Sequence, residues 1–314
     1  MSSNKVRIIF MGTPEFAVPS LEKLIRDGYH VVCVITQPDR PKGRGRKLKP
    51  PPVKEVALKH GIAVIQPEDL TDEELLSSLK QKKPELIVVV AYGQILPKEI
   101  LELPKLGAIN VHPSLLPKYR GAAPIQWTVM NDESVTGVTV IRMTEKMDAG
   151  PILLQKEVPV FPDETFGQLH DRLARLGSEI LLDAIRGILD GSLKEVPQNE
   201  SEATYAPKID RSLSKINWSR PAKEVSAKIR ALDPWPGAVS TVKDRELKLF
   251  SSSVIHPTHK GIAGRIHAIE REGIVVESGE GLVLVRELQA PGRKRLKAEE
   301  FLRGFPLKEG DRFI

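Results

Sequence analysis

Asn110 and His112 stand two residues apart in the stretch INVHPSLLPKYRGAAPIQW, residues 109–127. On a β-strand that spacing sends both side chains to one face, and Pro113 then ends the strand. An amide donor beside an imidazole suits acyl transfer. The amide can hydrogen-bond a developing oxyanion, often worth a few kcal/mol, while the imidazole titrates near operating pH and can shuttle the proton of an attacking amine. Asp148, in MTEKMDAGPIL, follows a second apolar run; a carboxylate there can orient the imidazole and stabilise its protonated form. A plainer reading stands beside the chemical one. A histidine ending a strand is more often structural, and an aspartate before a small residue and glycine is a common turn former. No serine, cysteine or lysine stands out as a covalent nucleophile.

Positioning these residues requires the alternation of apolar runs and amphipathic segments that fills the first half. VRIIFMG, HVVCVITQ, IAVIQP and ELIVVVAYG read as strands, and AVPSLEKLIRDG, PVKEVALKHG and DEELLSSLKQKKP as the helices between them. Continuous apolar strands separated by amphipathic helices predict an α/β, doubly wound, mostly parallel sheet covered on both faces. GAINVHP, GVTVIRM and GPILLQKEVPV extend it, and residues 168–188 form a long helix. His112 then lies at a carboxyl strand end, where open α/β sheets place their ligand crevices, and Asp148 is expected beyond an edge of the same sheet. Past residue 190 a polar connection precedes brief strands at roughly ten-residue spacing, the pattern of a small β-barrel. The expected boundaries are 1–190, a linker at 191–208, and 209–314.

The 314 residues carry a net charge of +6, with 40% hydrophobic and 28% charged residues, as in an ordinary globular protein. The lone Cys33, in VVCVIT, forms no internal disulfide and reads as a small buried side chain. No apolar run approaches the ~18 residues that span a bilayer, and no hydrophobic leader is evident, so a cytoplasmic protein without membrane contact is expected. The charge is uneven: from Lys208 onward 21 Lys and Arg face 14 Asp and Glu, against 26 and 27 before it. A second concentration is DRPKGRGRKLKPPP, with Arg40, Lys42, Arg44, Arg46, Lys47 and Lys49. This pattern favours an extended polyanion over a small acidic metabolite. FMGTPEF lacks the glycines of a dinucleotide site, and no G-x-x-x-x-G-K-[ST] occurs. His256 and His259, three apart in a turn with no Cys or acidic residue beside them in sequence, read as a chance surface pair rather than a metal site.

IIFMGTPEFAVPSL, TQPDRPKGRGRKLKPPPVKEVA, VVVAYGQILPKEIL, INVHPSLLPKYRGAAPIQW, GVTVIRMTEKMDAGPIL and RALDPWPGA together resemble, in order and spacing, the methionyl-tRNA formyltransferase family. The resemblance covers essentially the whole chain. It implies direct transfer of the formyl group of 10-formyltetrahydrofolate to the α-amino group of methionyl initiator tRNA, for translation initiation. It further implies Asn110, His112 and Asp148 as the catalytic set. Ser114, Leu115, Leu116 and Pro117, with Gly93, Gln94, Ile95 and Leu96, would bind folate, and Phe16 would lie near the methionyl side chain. The implied architecture is a Rossmann-like formyltransferase domain followed by an OB-like, tRNA-binding barrel, acting as a monomer without a metal. Pro113 departs from some relatives, which carry a small residue there.

The basic stretch begins at the carboxyl end of HVVCVITQ, the sheet edge expected to carry Asn110 and His112. Its cations offer phosphate contacts, which makes it a clamp for the acceptor end of tRNA, with Arg44 the key contact by resemblance. A formyltransferase with a small-molecule acceptor would have no use for such a loop. A binding module without chemistry would not need Asn110, His112 and Asp148, and a nuclear localisation signal would not sit tethered between two apolar elements.

Overall fold

The computed structural model describes residues 6–42 and 47–314, the side chains of Lys42 and Lys47 excepted. The chain divides into two compact units. One is built from residues up to Ala122, Gly137–Val158 and His170–Ala206, the other from Ala123–Thr136, Pro159–Leu169 and Pro207–Ile314.

In the first unit the apolar runs become β1 (Arg7–Gly12), β2 (His30–Ile35), β5 (Val64–Ile65), β6 (Leu86–Val90), β7 (Ala108–His112), β8 (Val135–Arg142) and β9 (Ile152–Pro159), while β3 (Arg40–Lys42) and β4 (Lys47–Lys49) pair as a separate hairpin. The sheet runs β5-β2-β1-β6-β7-β8-β9. Its strands are parallel from β5 to β7, and β8 is antiparallel to β7. Ile8, Ile9, Phe10 and Met11 are all wholly buried, as a strand covered on both faces requires. On one face Ile9, Met11, Cys33, Ile35, Ile87 and Val89 pack with Leu79, Leu96 and Ile100, each such aliphatic side chain contributing about 1.5–3 kcal/mol. Helix α1 (Val18–Arg26) opens with proline in its first turn and is followed by Gly28 at φ +78°, the start and stop expected of it. Helices α2 (Pro52–Lys59), α3 (Glu73–Gln81) and α4 (Lys98–Leu101) complete the crossovers.

Helix α6 (Phe166–Asp190) belongs to the first unit from His170 onward. The second unit holds α5 (Pro124–Met130), which packs on α7 (Ala222–Ala231), and α8 (Ala298–Gly304) near the carboxyl terminus. Its strands are β10 (Ala238–Val242), β11 (Arg245–His256), β12 (Ile266–Ile269), β13 (Ile274–Glu277), β14 (Leu282–Gln289) and β15 (Leu296–Lys297), in the order β10-β11-β14-β13-β12 with β15 on β14. The antiparallel strands expected here are present, but they do not close into a barrel: among the described residues this path stays open. The terminal segment lies between its two edges, Ile314 exchanging hydrogen bonds with Thr241 of β10, and Asp311 O accepting from Ile266 N of β12. It makes one isolated bridge, Arg312 with Arg265, instead of a ladder. Val225, Ile229, Leu247, Leu249, Val283 and Phe313 are among the core residues beneath the sheet.

Asp132 ties α7 to the residue stretch after α5. Its carboxylate accepts from Arg230 Nη2 at 2.6 Å and pairs with Lys223 Nζ at 3.0 Å, and the Arg230 side chain is 7% exposed. Burial alone would raise the Asp132 pKa, but the two cations outweigh it and hold it below the ordinary value. A depressed carboxyl stabilises the fold above its unfolded pKa of about 3.9 and loses that contribution as pH falls through the folded value. Asp132→Asn is expected to cost about 1–3 kcal/mol at pH 7, because Arg230 is left without its counter-charge. Thermal midpoints of the two proteins should converge as pH drops below about 3.9.

Candidate active site

β7 delivers Asn110 and His112 to one face, as their spacing predicts. Asn110 Nδ2 donates to Asp148 Oδ1 at 3.4 Å, and His112 Nδ1 lies 3.6 Å from Asp148 Oδ2. His112 is 4% exposed, and its Nε2 is 3.0 Å from Tyr119 O. The two ring nitrogens thus face a main-chain carbonyl and a carboxylate. Asp148 Oδ2 also accepts from Gly121 N at 2.9 Å. The three groups thus form one partly buried cluster of an amide, an imidazole and a carboxylate, suited to polarising a carbonyl and handling a proton.

Asp148 reaches this cluster by a route that differs from the expected one. Because β8 runs antiparallel to β7, Arg142 lies opposite Ile109, near the amino end of β7. The following segment must turn back for Asp148 to meet Asn110 and His112. Asp148 itself takes φ +49°, a left-handed conformation costing a non-glycine residue about 1–2 kcal/mol. Gly150 brings the backbone against Arg142 O so closely that a Cβ would collide with it.

What holds the turned-back segment was not among the predicted residues. Gln198 Nε2 donates to Asp148 O at 2.8 Å and Gly150 O at 2.7 Å. Its Oε1 accepts from Arg120 Nε and Nη2 at 3.1 and 2.8 Å, and Arg120 also pairs with both oxygens of Glu200 at 2.9 Å. Arg120 is 3% exposed, and the Glu200 hydrogen bond is the main reason its pKa is raised. Residues 191–206, which read in sequence as a polar connection, are thereby bound into the first unit. Gln198 sits in PQNESEATY, where no periodicity or motif marks it.

The remaining predicted residues have the following surroundings. Gly93 takes φ +93°, Gln94 and Ile95 are exposed, and Leu96 is buried, all directly after β6 and Tyr92. Ser114 is fully buried with Oγ donating to Lys118 O at 2.6 Å, Leu116 is buried, and Leu115 and Pro117 are half-buried. Phe16 packs edge-on against His170 with centroids 5.4 Å apart. Arg40 and Lys49 are exposed and paired across the β3–β4 ladder, as are the backbones of Lys42 and Lys47; Arg44 and Arg46 lie outside the described residues. At the base of that hairpin Lys54 Nζ pairs with Asp39 at 2.8 Å, and Gln66 binds both. The Lys54 hydrogen bond holds the Asp39 carboxyl below its ordinary pKa.

Comparison with known proteins gives concordant matches. Residues 4–185 match the family described as formyl transferase, and residues 208–306 match the formyl transferase C-terminal domain. The methionyl-tRNA formyltransferase of Moorella thermoacetica is 47% identical over 98% of both chains. That of Bacillus subtilis is 47% identical over 97% of this chain and 96% of its own. Among solved structures, HypX from Aquifex aeolicus in complex with tetrahydrofolic acid superposes with a TM-score of 0.67 at 21% identity, over 98% of this chain and 50% of that one. This chain thus spans about half the length of HypX. An N-formyltransferase from Helicobacter canadensis superposes with a TM-score of 0.64 at 20% identity, over 89% of this chain and 98% of that one. At those identities the structures speak for the fold alone.

Proposed function

The chain belongs to the formyl transferase family, among its methionyl-tRNA formyltransferases, and from that premise we propose that it formylates the α-amine of methionyl initiator tRNA, with 10-formyltetrahydrofolate as donor. The convergence of Asn110, His112 and Asp148, within 3.4 and 3.6 Å, carries this reading. The amine nitrogen attacks the formyl carbon, and charge develops on the formyl oxygen. The Asn110 amide donates to it, and the positive charge of the protonated His112 ring, whose Nε2 faces Tyr119 O and whose Nδ1 faces Asp148, stabilises it through space. The C–N10 bond then breaks, and N10 takes up a proton in place of the one the attacking nitrogen loses. Asp148 holds the imidazole and receives or relays that proton.

The exposed backbone turn at Gly93, with Gln94, Ile95 and Leu96, supports recognition of the pterin ring through main-chain groups. Ser114, Leu115, Leu116 and Pro117 wall the folate site; because the Ser114 hydroxyl is tied to Lys118 O, this segment contributes by its shape. Phe16 borders the methionyl side chain. The second unit is read as a partly open, OB-like, tRNA-binding domain, and the protein as a cytoplasmic monomer of translation initiation. Among the described residues no helix is long and apolar enough to cross a membrane.

Offered methionyl-tRNA, glycinamide ribonucleotide and an amino-sugar nucleotide in parallel, the protein is expected to formylate only the first; formylation of a small amine alone would sink the reading. The hairpin cations Arg40, Lys42, Lys47 and Lys49, with Arg44 and Arg46 between them, are assigned to the acceptor end of the tRNA. Arg44→Ala should raise KM for methionyl-tRNA and leave folate binding unchanged. Unaltered tRNA kinetics would reject that role.

A further inference from the structure

The histidine pair set aside in sequence acquires partners in the fold. His259, in the connection between β11 and β12, His267 on β12 and Glu277 at the end of β13 bring one ligand atom each to within 4.8 Å of one another. Glu277 is wholly buried. His267 Nδ1 lies 3.1 Å and His259 Nε2 3.7 Å from the same oxygen, Glu277 Oε1. The two imidazoles stand edge to face, with centroids 4.9 Å apart. His256, the other member of the sequence pair, is exposed on β11 and stays outside the group.

Three features of the backbone build this arrangement. The β12–β13 ladder shifts register between Ile266 and Ala268, so His267 is the extra residue of a bulge, a device that re-aims a side chain. Gly261 lets the main chain close over the group: a Cβ there would run into the Glu277 carboxylate and come within 3.0 Å of His259 Nε2. Arg265 Nη2 donates to the same Oε1 at 2.8 Å, and Oε2 accepts from Arg265 Nε at 3.0 Å and from Ile262 N. That is the outer support metal-binding carboxylates commonly have. His259 Nε2 is buried and makes no hydrogen bond.

From this juxtaposition we propose that His259, His267 and Glu277 form a site for a divalent transition metal of the zinc class, separate from the formyl-transfer residues. Zinc bonds of about 2.0–2.1 Å to nitrogen and oxygen make tetrahedral edges of about 3.3 Å, and the two edges at Oε1 measure 3.1 and 3.7 Å. The cation takes the place of the proton that His267 Nδ1 shares with Oε1, and that proton leaves to solvent. His259 Nε2 supplies the third ligand, and water completes the coordination. Two imidazoles and one carboxylate favour zinc, copper or nickel over magnesium or calcium. Arg265 stays on the carboxylate as an outer partner and limits the negative charge, so the site holds one exchangeable ion.

The test is zinc uptake by the full-length protein, followed by competition with a chromogenic chelator. Wild type is expected to bind one zinc, with magnesium not competing. His259→Ala and His267→Ala should each weaken binding at least about tenfold, and His256→Ala should leave it unchanged. Both targeted histidines are partly exposed, so the variants should fold. Independently of any variant, zinc added to wild type should shift the imidazole resonances of His259 and His267 and not those of His112. No uptake, uptake undiminished in the His259→Ala/His267→Ala double variant, or perturbation of His112 instead would each overturn the proposal.

Discussion

His112→Ala is expected to lower kcat for formylation of methionyl-tRNA by about 10²–10⁴, the range for loss of a positioned proton-handling group. Asn110→Ala should lower it by about 10²–10³, as for the removal of one oxyanion donor. Both changes should act mainly on kcat, because the interactions they delete strengthen only as charge builds on the formyl oxygen. The double variant should be little worse than the poorer single one, since the two side chains converge on the same carboxylate at 3.4 and 3.6 Å and act as a unit. Steady-state rates at saturating donor and acceptor, with melting curves to verify folding, give the measurement. A loss confined to KM would show that the pair binds substrate without taking part in the chemistry.

The second large effect is expected at a residue that touches the catalytic carboxylate's segment only through main-chain carbonyls. Gln198→Ala removes the two donations that hold Asp148 O and Gly150 O, and Asp148 then has less to keep it at φ +49°. A carboxylate displaced by about 1 Å can cost up to about 10² in rate, so kcat should fall by about 10–100-fold with KM values little changed. Gln198→Glu distinguishes positioning from simple stability. It keeps the acceptor for Arg120 but cannot donate to either carbonyl, so it should recover thermal stability while remaining as slow as Gln198→Ala. Recovery of rate together with stability would contradict the positioning role. Glu200→Ala should matter less: its side chain is 69% exposed, and Arg120 keeps its contacts to Gln198.

Which parts of this site were legible follows from the range of the interactions involved. Asn110 and His112 share a face because a strand has a period of two, and continuous apolar runs such as Arg7–Gly12 and Leu86–Val90 declare a covered parallel sheet. Asp148 was visible as a carboxylate after an apolar run, but its path was not. The direction of β8 is set by pairing with β7, which no local pattern encodes. Gln198 was invisible because its value lies in hydrogen bonds to main-chain groups some fifty residues away. The second unit shows the same limit: strand spacing announced its strands, whereas closure depends on whether the two edges meet. Here the segment ending at Ile314 lies between them. Likewise His259 lacked acidic neighbours in sequence, and the pairing of β12 with β13 supplied Glu277.

The central claim is direct transfer of the formyl group from folate nitrogen to the methionyl amine at Asn110, His112 and Asp148. Its most direct test is a single turnover with purified protein, methionyl initiator tRNA and 10-formyltetrahydrofolate labelled in the formyl carbon. The prediction is one label on the methionyl α-amine for each folate consumed, none in free formate, and a rate that collapses in His112→Ala. Label released as formate, or transferred to glycinamide ribonucleotide in preference to methionyl-tRNA, would contradict it.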